Sequence, residues 1–281
     1  MGTPLVFNLK SARRGAARAA ALALAGAACA TLMTGSASAI VNGQNATERY
    51  PFMASIPVSA AQPGVLDDGV CGASLIAPQW VLTAGHCVDP KLVKLAGTVR
   101  IGSEQRKSGG TVRTIDKVVT NPGFALGDAT GPNQNDLALI RLDRPVTEQP
   151  IRIAERPGRP GTATRLLGFG TTVDTTDFTK MVFPDQLQQL DTRRAAVSEC
   201  APGYAGRTRL CTVSLVPHAM ACFGDSGGPQ IQLGRGGRWE LIGTTSGPGA
   251  PGLASCAAGP GLYSSVPAYA DWIRQTIRRN S

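Results

Sequence analysis

Ser226 stands in Cys222-Phe223-Gly224-Asp225-Ser226-Gly227-Gly228-Pro229. Gly224, Gly227 and Gly228 permit backbone angles and close approaches that a Cβ would block. Such a turn can hold a hydroxyl outward and aim nearby N–H groups into one small space. Donors so placed stabilise charge that develops only in a transition state. A serine hydroxyl is a weak nucleophile until a base takes its proton. The chain must therefore also supply a histidine, and a carboxylate to orient it.

Two histidines are present, His86 and His218. His218 lies eight residues before Ser226 in a segment that must turn, so it is poorly placed to face the hydroxyl. His86 closes the apolar run Leu82-Thr83-Ala84-Gly85-His86-Cys87. The best carboxylate is Asp136, in Asn135-Asp136-Leu137-Ala138-Leu139-Ile140-Arg141-Leu142. It enters a strand-like apolar run, where a buried charge needs a hydrogen-bonded partner.

From Ile40 to the C-terminus, the order His86, Asp136, Ser226 and these three contexts resemble the chymotrypsin-like (trypsin-fold) serine proteases. The resemblance implies that His86 takes and returns the Ser226 proton while Asp136 holds the imidazole tautomer. The amides of Gly224 and Ser226 would form the oxyanion hole. Met220, Ala221, Ser246 and Gly261 would line the primary substrate pocket. A free α-amine at Ile40 would pair with Asp225, a buried charge meeting its partner. The implied fold is all-β: two six-stranded antiparallel β-barrels with the active site between them, and a C-terminal helix.

Short apolar runs fit that expectation. Residues 52–58, 73–76, 80–82, 112–119 and 137–142 read as strands of an N-terminal barrel at about 40–150. The Pro-, Gly- and Arg-rich stretch 147–161 reads as the crossing between barrels. Residues 165–171, 187–197, 230–233, 239–245 and 261–266 read as strands of a C-terminal barrel at about 160–266. Tyr269, Trp272, Ile273 and Ile277 have helical spacing, which predicts a closing helix over about 268–279 packed on the second barrel. The polar stretch 127–135 reads as a surface loop.

The first 39 residues read as a secretion signal peptide. Lys10, Arg13, Arg14 and Arg18 form a positive start, an Ala/Leu-rich run follows, and Ala37-Ser38-Ala39 offers a cleavage site. Its removal leaves 242 of the 281 residues, as a serine protease domain 40–281, and reduces the net charge of +9 by those four charges to +5. Cleavage after Ala39 would expose Ile40 at once, with no separate activating cut; cleavage after Ala30 would instead leave a short pro-segment, 31–39. The remaining arginines are scattered without aromatic neighbours, which argues against nucleic-acid binding. A secreted, extracellular monomer is expected, with no membrane contact once the signal is gone. Leader and composition, rich in alanine and arginine, suggest a bacterial source.

Setting Cys29 aside leaves six of the seven cysteines, an even number that suits an exported chain. Sequence alone leaves their pairing open. The resemblance implies Cys71 with Cys87, Cys200 with Cys211, and Cys222 with Cys256. No Cys-x-x-Cys spacing occurs, and the stretch 101–111 offers only Glu104 as a carboxylate. Neither a metal nor any other cofactor is expected.

Met220 and Ala221 carry no charge at the place the resemblance assigns to the pocket base, so cleavage after Lys or Arg is not expected. A polarizable methionine suits an apolar side chain. Pro248 has no N–H to offer a substrate backbone. Peptide or protein substrates, and protein inhibitors, are the partners implied. Two other classes stay open on the sequence: a catalytically silent binding protein on the same scaffold, and an esterase-like acyl hydrolase.

Overall fold

Runs of four to ten residues, cut by Gly, Pro and Asn, pair into two closed barrels in the computed structural model, which describes residues 1, 2 and 40–280. The leader read at 1–39 lies outside the described residues apart from Met1 and Gly2. The first barrel comprises β1 (Met53–Ala60), β2 (Gly69–Ala77), β3 (Trp80–Thr83), β4 (Thr98–Ile101), β5 (Thr111–Thr120) and β6 (Ala138–Leu142). They pair antiparallel in the closed order β1-β2-β3-β6-β5-β4.

The second barrel comprises β7 (Ala163–Gly168), β8 (Gln188–Arg194), β9 (Arg209–Ser214), β10 (Pro229–Leu233), β11 (Trp239–Pro248) and β12 (Gly261–Ser265). Its closed antiparallel order, β7-β8-β9-β12-β11-β10, repeats that of the first. Closure leaves neither ring with an unpaired barrel edge. In the crossing between the barrels, Arg152–Ile153 lies parallel to β11.

Met53, Ile56, Leu75, Leu82, Ile101, Leu139 and Leu142 are fully buried in the largest apolar cluster. Each such side chain contributes about 1.5–3 kcal/mol when taken from water. A second cluster gathers Ile40, Leu166, Leu190, Leu210, Met220, Ile242 and Tyr263. The second barrel also buries polar side chains, several of them partnered, although the Thr244 hydroxyl and Gln230 Oε1 have no hydrogen-bond partner among the described residues. The Thr164 and Thr192 hydroxyls lie 2.7 Å apart, and Gln230 donates to the Thr212 hydroxyl at 2.8 Å. Partnering of this kind is what makes such burial tolerable.

Two placements differ from the sequence reading. Residues 40–45, read as the start of the N-terminal barrel, sit with the second half: Gln44–Asn45 pairs with β8, and Ile40 belongs to the second apolar cluster. The strands β4 and β9 had no counterpart in the apolar runs. The closing helix α1 (Ala270–Arg279) follows a 3-10 turn over Val266–Tyr269. Tyr269 and Ile273 enter the largest apolar cluster, which holds residues of both barrels, Leu82 and Leu139 as well as Ile231 and Leu241. Lys117 of β5 also donates to the Asn280 side chain at 2.6 Å.

The six cysteines pair as Cys71–Cys87, Cys200–Cys211 and Cys222–Cys256. The first ties β2 to the turn that carries His86. The third ties the approach to Ser226 to the loop beyond β11.

Candidate active site

His86 opens a 3-10 turn just after β3, and Asp136 sits two residues before β6. Because β3 and β6 are neighbours, the Thr83↔Ala138 register brings the two side chains together. Asp136 is buried, and its Oδ1 accepts the His86 backbone N–H at 2.9 Å. Its Oδ2 lies 2.8 Å from His86 Nδ1. That oxygen also accepts the Ser246 hydroxyl at 2.6 Å and the Asn133 amide at 3.0 Å.

Burial alone would lower the basicity of the His86 ring. The Asp136 charge and hydrogen bond outweigh it and hold the imidazole above its ordinary pKa. For Asp136, burial pushes the carboxyl up, but His86, Ser246 and the His86 backbone N–H keep it below the usual range. Asp136 thus stays a carboxylate, and its charge makes the His86 ring a stronger base.

Ser226 lies between β9 and β10, in a turn whose glycines are sterically required. Gly224 has φ +93°, and a Cβ there would stand 2.8 Å from Gly170 Cα. Gly227 has φ +79°, and a Cβ would stand 2.2 Å from Thr83 Oγ1. The turn docks directly on the first barrel. Gly72 of β2 donates its N–H to the Ser226 carbonyl at 2.8 Å, and the Thr83 hydroxyl accompanies it by donating to the Gly72 carbonyl at 2.8 Å. The N–H groups of Gly224 and Ser226 have no acceptor among the described residues.

An open cleft of about 940 Å³ between the barrels is lined by His86 and Asn133 from one half and by Met220, Ser226, Ser246 and Gly261 from the other. His86 and Ser226 thus face one space, although the Ser226 hydroxyl has no hydrogen-bond partner among the described residues. Such contacts are often long in unliganded enzymes and tighten around substrate.

At one end of the cleft Met220 and Tyr263 are buried, with the Tyr263 hydroxyl 3.7 Å from Met220 Sδ. Burial, with the Asp225 charge adding to it, holds the Tyr263 phenol well above its ordinary pKa, so it stays protonated. Gly261 keeps this space open: a Cβ there would come within 3.1 Å of Met220 Sδ. Ala221, Pro248 and Leu253 line the cleft as well, and β11 runs through Pro248, paired to Gly261 of β12.

Behind the serine turn, Asp225 is almost wholly buried. Its carboxylate accepts the N–H groups of Gly170 and Cys222, each at 2.9 Å. No cationic side chain among the described residues pairs with it. Burial pushes its pKa up to about 7, against those two hydrogen bonds. Ile40 is fully buried in the same half, in contact range of the Met220 cluster, and Val41 bridges to Met220. Ile40 also holds φ +63°, a strained value for a β-branched residue.

His218 is exposed and does not line the cleft. Among the described residues, Asp174, Cys222 and Cys256 have metal-ligand spacing, but the two sulfurs are joined in a disulfide. In the stretch 101–111, the Arg100 guanidinium donates to the Lys107 and Gly109 carbonyls, so an internal cation already occupies those oxygens. The sequence reading missed Asn133 and Tyr263. For Asn133 the signal was its position three residues before Asp136, within the stretch read as surface loop.

The trypsin family model matches residues 40–273. Human kallikrein-11 is 29% identical over 220 residues, covering 75% of this chain and 73% of that protein. Human kallikrein-12 is 33% identical over 219 residues, covering 75% and 82%. The solved structure of neuropsin, a serine protease expressed in the limbic system of mouse brain, superposes with a TM-score of 0.66 at 23% identity, over 85% of this chain and 100% of that one. That likeness shows the fold. These relatives are mammalian, so the bacterial source suggested by composition is not borne out. A match over nearly all of residues 40–280, on two closed barrels that repeat one strand order, makes this chain a member of the trypsin family and a serine-type endopeptidase.

Proposed function

We propose that the chain hydrolyses peptide bonds through an acyl-enzyme on Ser226. His86 takes the Ser226 proton and returns it to the leaving amine, while Asp136 holds the ring and stabilises the imidazolium. The observation that carries this reading is the shared cleft: His86, held from behind by Asp136, and Ser226 line one space, and the N–H groups of Gly224 and Ser226 have no acceptor among the described residues. Those amides bind the oxyanion; loss of one such donor costs about 10²–10³ in rate.

The residues about Met220 define the primary pocket. Met220, Ala221, Ser246 and Gly261 line the cleft with Pro248 and Leu253, and none of them carries charge. The pocket therefore takes a medium or large apolar side chain before the cut. Cleavage before Ile40 frees an α-amine that pairs with Asp225 and replaces the missing cation. It also abolishes the strained φ of Ile40, since an N-terminal residue has no φ torsion. Export by the leader 1–39, with action outside the cell on peptides or proteins, completes the proposal.

A covalent serine-directed reagent followed by peptide mapping tests it. Ser226 should be labelled, and the label should be lost in His86→Ala. Labelling elsewhere, or full turnover by Ser226→Ala, would overturn the assignment.

A further inference from the structure

The stretch before Asp136 is more than a connection. Asn133, Gln134, Asn135 and Asp136 each make a side-chain contact with the second half. Asn133 reaches the Ser246 carbonyl, Gln134 accepts from Arg209, Asn135 accepts from Tyr269, and Asp136 accepts from Ser246. Only Asn133 among the first three also touches the carboxylate.

Asn133 is itself held on both ends of its amide. Its Oδ1 accepts the Gly127 N–H at 2.8 Å, while its Nδ2 reaches Asp136 Oδ2 at 3.0 Å and the Ser246 carbonyl at 3.4 Å. Reversing the amide would set its oxygen against a carboxylate and a carbonyl, so one orientation is fixed. The loop behind it is built for this grip. Ala125 and Gln134 exchange backbone hydrogen bonds at 2.9 and 3.1 Å, and Asp128 caps the tip by accepting from Thr130. At Gly127 a Cβ would lie 2.5 Å from the Gly131 carbonyl, so only glycine permits the turn.

Three donors thus converge on Asp136 Oδ2: the His86 ring, Ser246 and Asn133. Any neutral donor on that oxygen draws charge that would otherwise stabilise the imidazolium. It also fixes the plane of the carboxylate against the ring. We infer that Asn133 is a positioning residue of the His86–Asp136 pair, limiting the basicity of His86 and orienting Asp136. This rests on the triad reading above.

Asn133→Leu keeps a wall of similar size and removes the donor. Asn133→Asp keeps the shape, removes the donor and adds a like charge beside Asp136. With less competition for Oδ2, His86 becomes more basic, so the acid limb of kcat/KM moves to higher pH. The shift should be roughly half to one pH unit for Leu, the scale of one ordinary hydrogen bond, because the lost donor acts on His86 only through Asp136. It should be larger for Asp, whose charge also favours the imidazolium. kcat per titrated active site should fall about tenfold in Leu, on the same hydrogen-bond scale. Counting sites with the serine-directed reagent removes any unfolded fraction from the measurement.

His86 titration by proton NMR in a Ser226→Ala background, with and without Asn133→Ser, gives the imidazole pKa directly in a smaller, less disruptive variant. Upward shifts in both experiments support the inference. Unchanged acid limbs and an unchanged imidazole pKa overturn it, and reduce Asn133 to a wall of the cleft. Full turnover by Ser226→Ala would instead overturn the triad itself, so the two failures are distinguishable.

Discussion

Asp225 makes the chain with residues still attached before Ile40 sensitive to pH. In the folded chain its carboxyl is pushed from 3.8 to about 7 by burial, with the N–H groups of Cys222 and Gly170 opposing. That is roughly three units, worth ~4 kcal/mol at about 1.4 kcal/mol per unit. A raised acid binds its proton more tightly folded than unfolded. Its stabilising contribution is therefore complete below about pH 4 and is lost as pH rises through about 7. Between pH 5 and 8 the loss should be about 3 kcal/mol. Two chains test this, both carrying Ser226→Ala to prevent self-digestion: one beginning at Thr31, one at Ile40. Urea unfolding, followed by tryptophan fluorescence, is run at pH 5 and pH 8. The Thr31 chain should lose that stability at pH 8. The Ile40 chain should lose much less, because its α-amine offsets the buried charge. Adding Asp225→Asn to the Thr31 chain should flatten its dependence. An equal loss with Asn at 225, or an equal loss in the Ile40 chain, would refute the reasoning.

Two further outcomes follow from the cleft and from the joint between the barrels. On short peptides differing only at the residue before the cut, kcat/KM should favour Leu, Met or Phe over Arg by at least about tenfold, because a buried cation without a counter-ion costs several kcal/mol; a preference for Arg would refute the apolar pocket. Gly72→Ala would place a Cβ 2.5 Å from Gly228 Cα, a backbone atom that cannot step aside cheaply. The serine turn must move, so kcat/KM should fall more than about tenfold with a stability loss of about 1–3 kcal/mol; wild-type turnover would show that the turn does not depend on this contact.

The sequence disclosed most where the chemistry demands an unusual local composition. Three glycines about one serine announce a turn, and a lone aspartate entering Leu137–Leu142 announces a buried partner. The long apolar strands were legible for a related reason: β2 and β6 are buried along nearly their whole length. The strands that escaped notice lack such a run. Thr98–Ile101 has only four residues, with Arg100 turned to the loop carbonyls, and Arg209–Ser214 carries Thr212 buried against Gln230. Their strand state is imposed by barrel closure, a non-local pairing that no short window contains. Asn133 escaped for the same reason at the scale of one side chain. It lies in a mostly polar stretch that is exposed or half-exposed, so composition reads as a loop. Only the approach of Ser246, more than a hundred residues later, completes the carboxylate it serves. The position of a donor relative to a buried charge is thus a property of two barrels meeting, and residues on that seam, rather than those in the apolar cores, are where sequence reasoning is weakest and where substitution should most directly alter the chemistry.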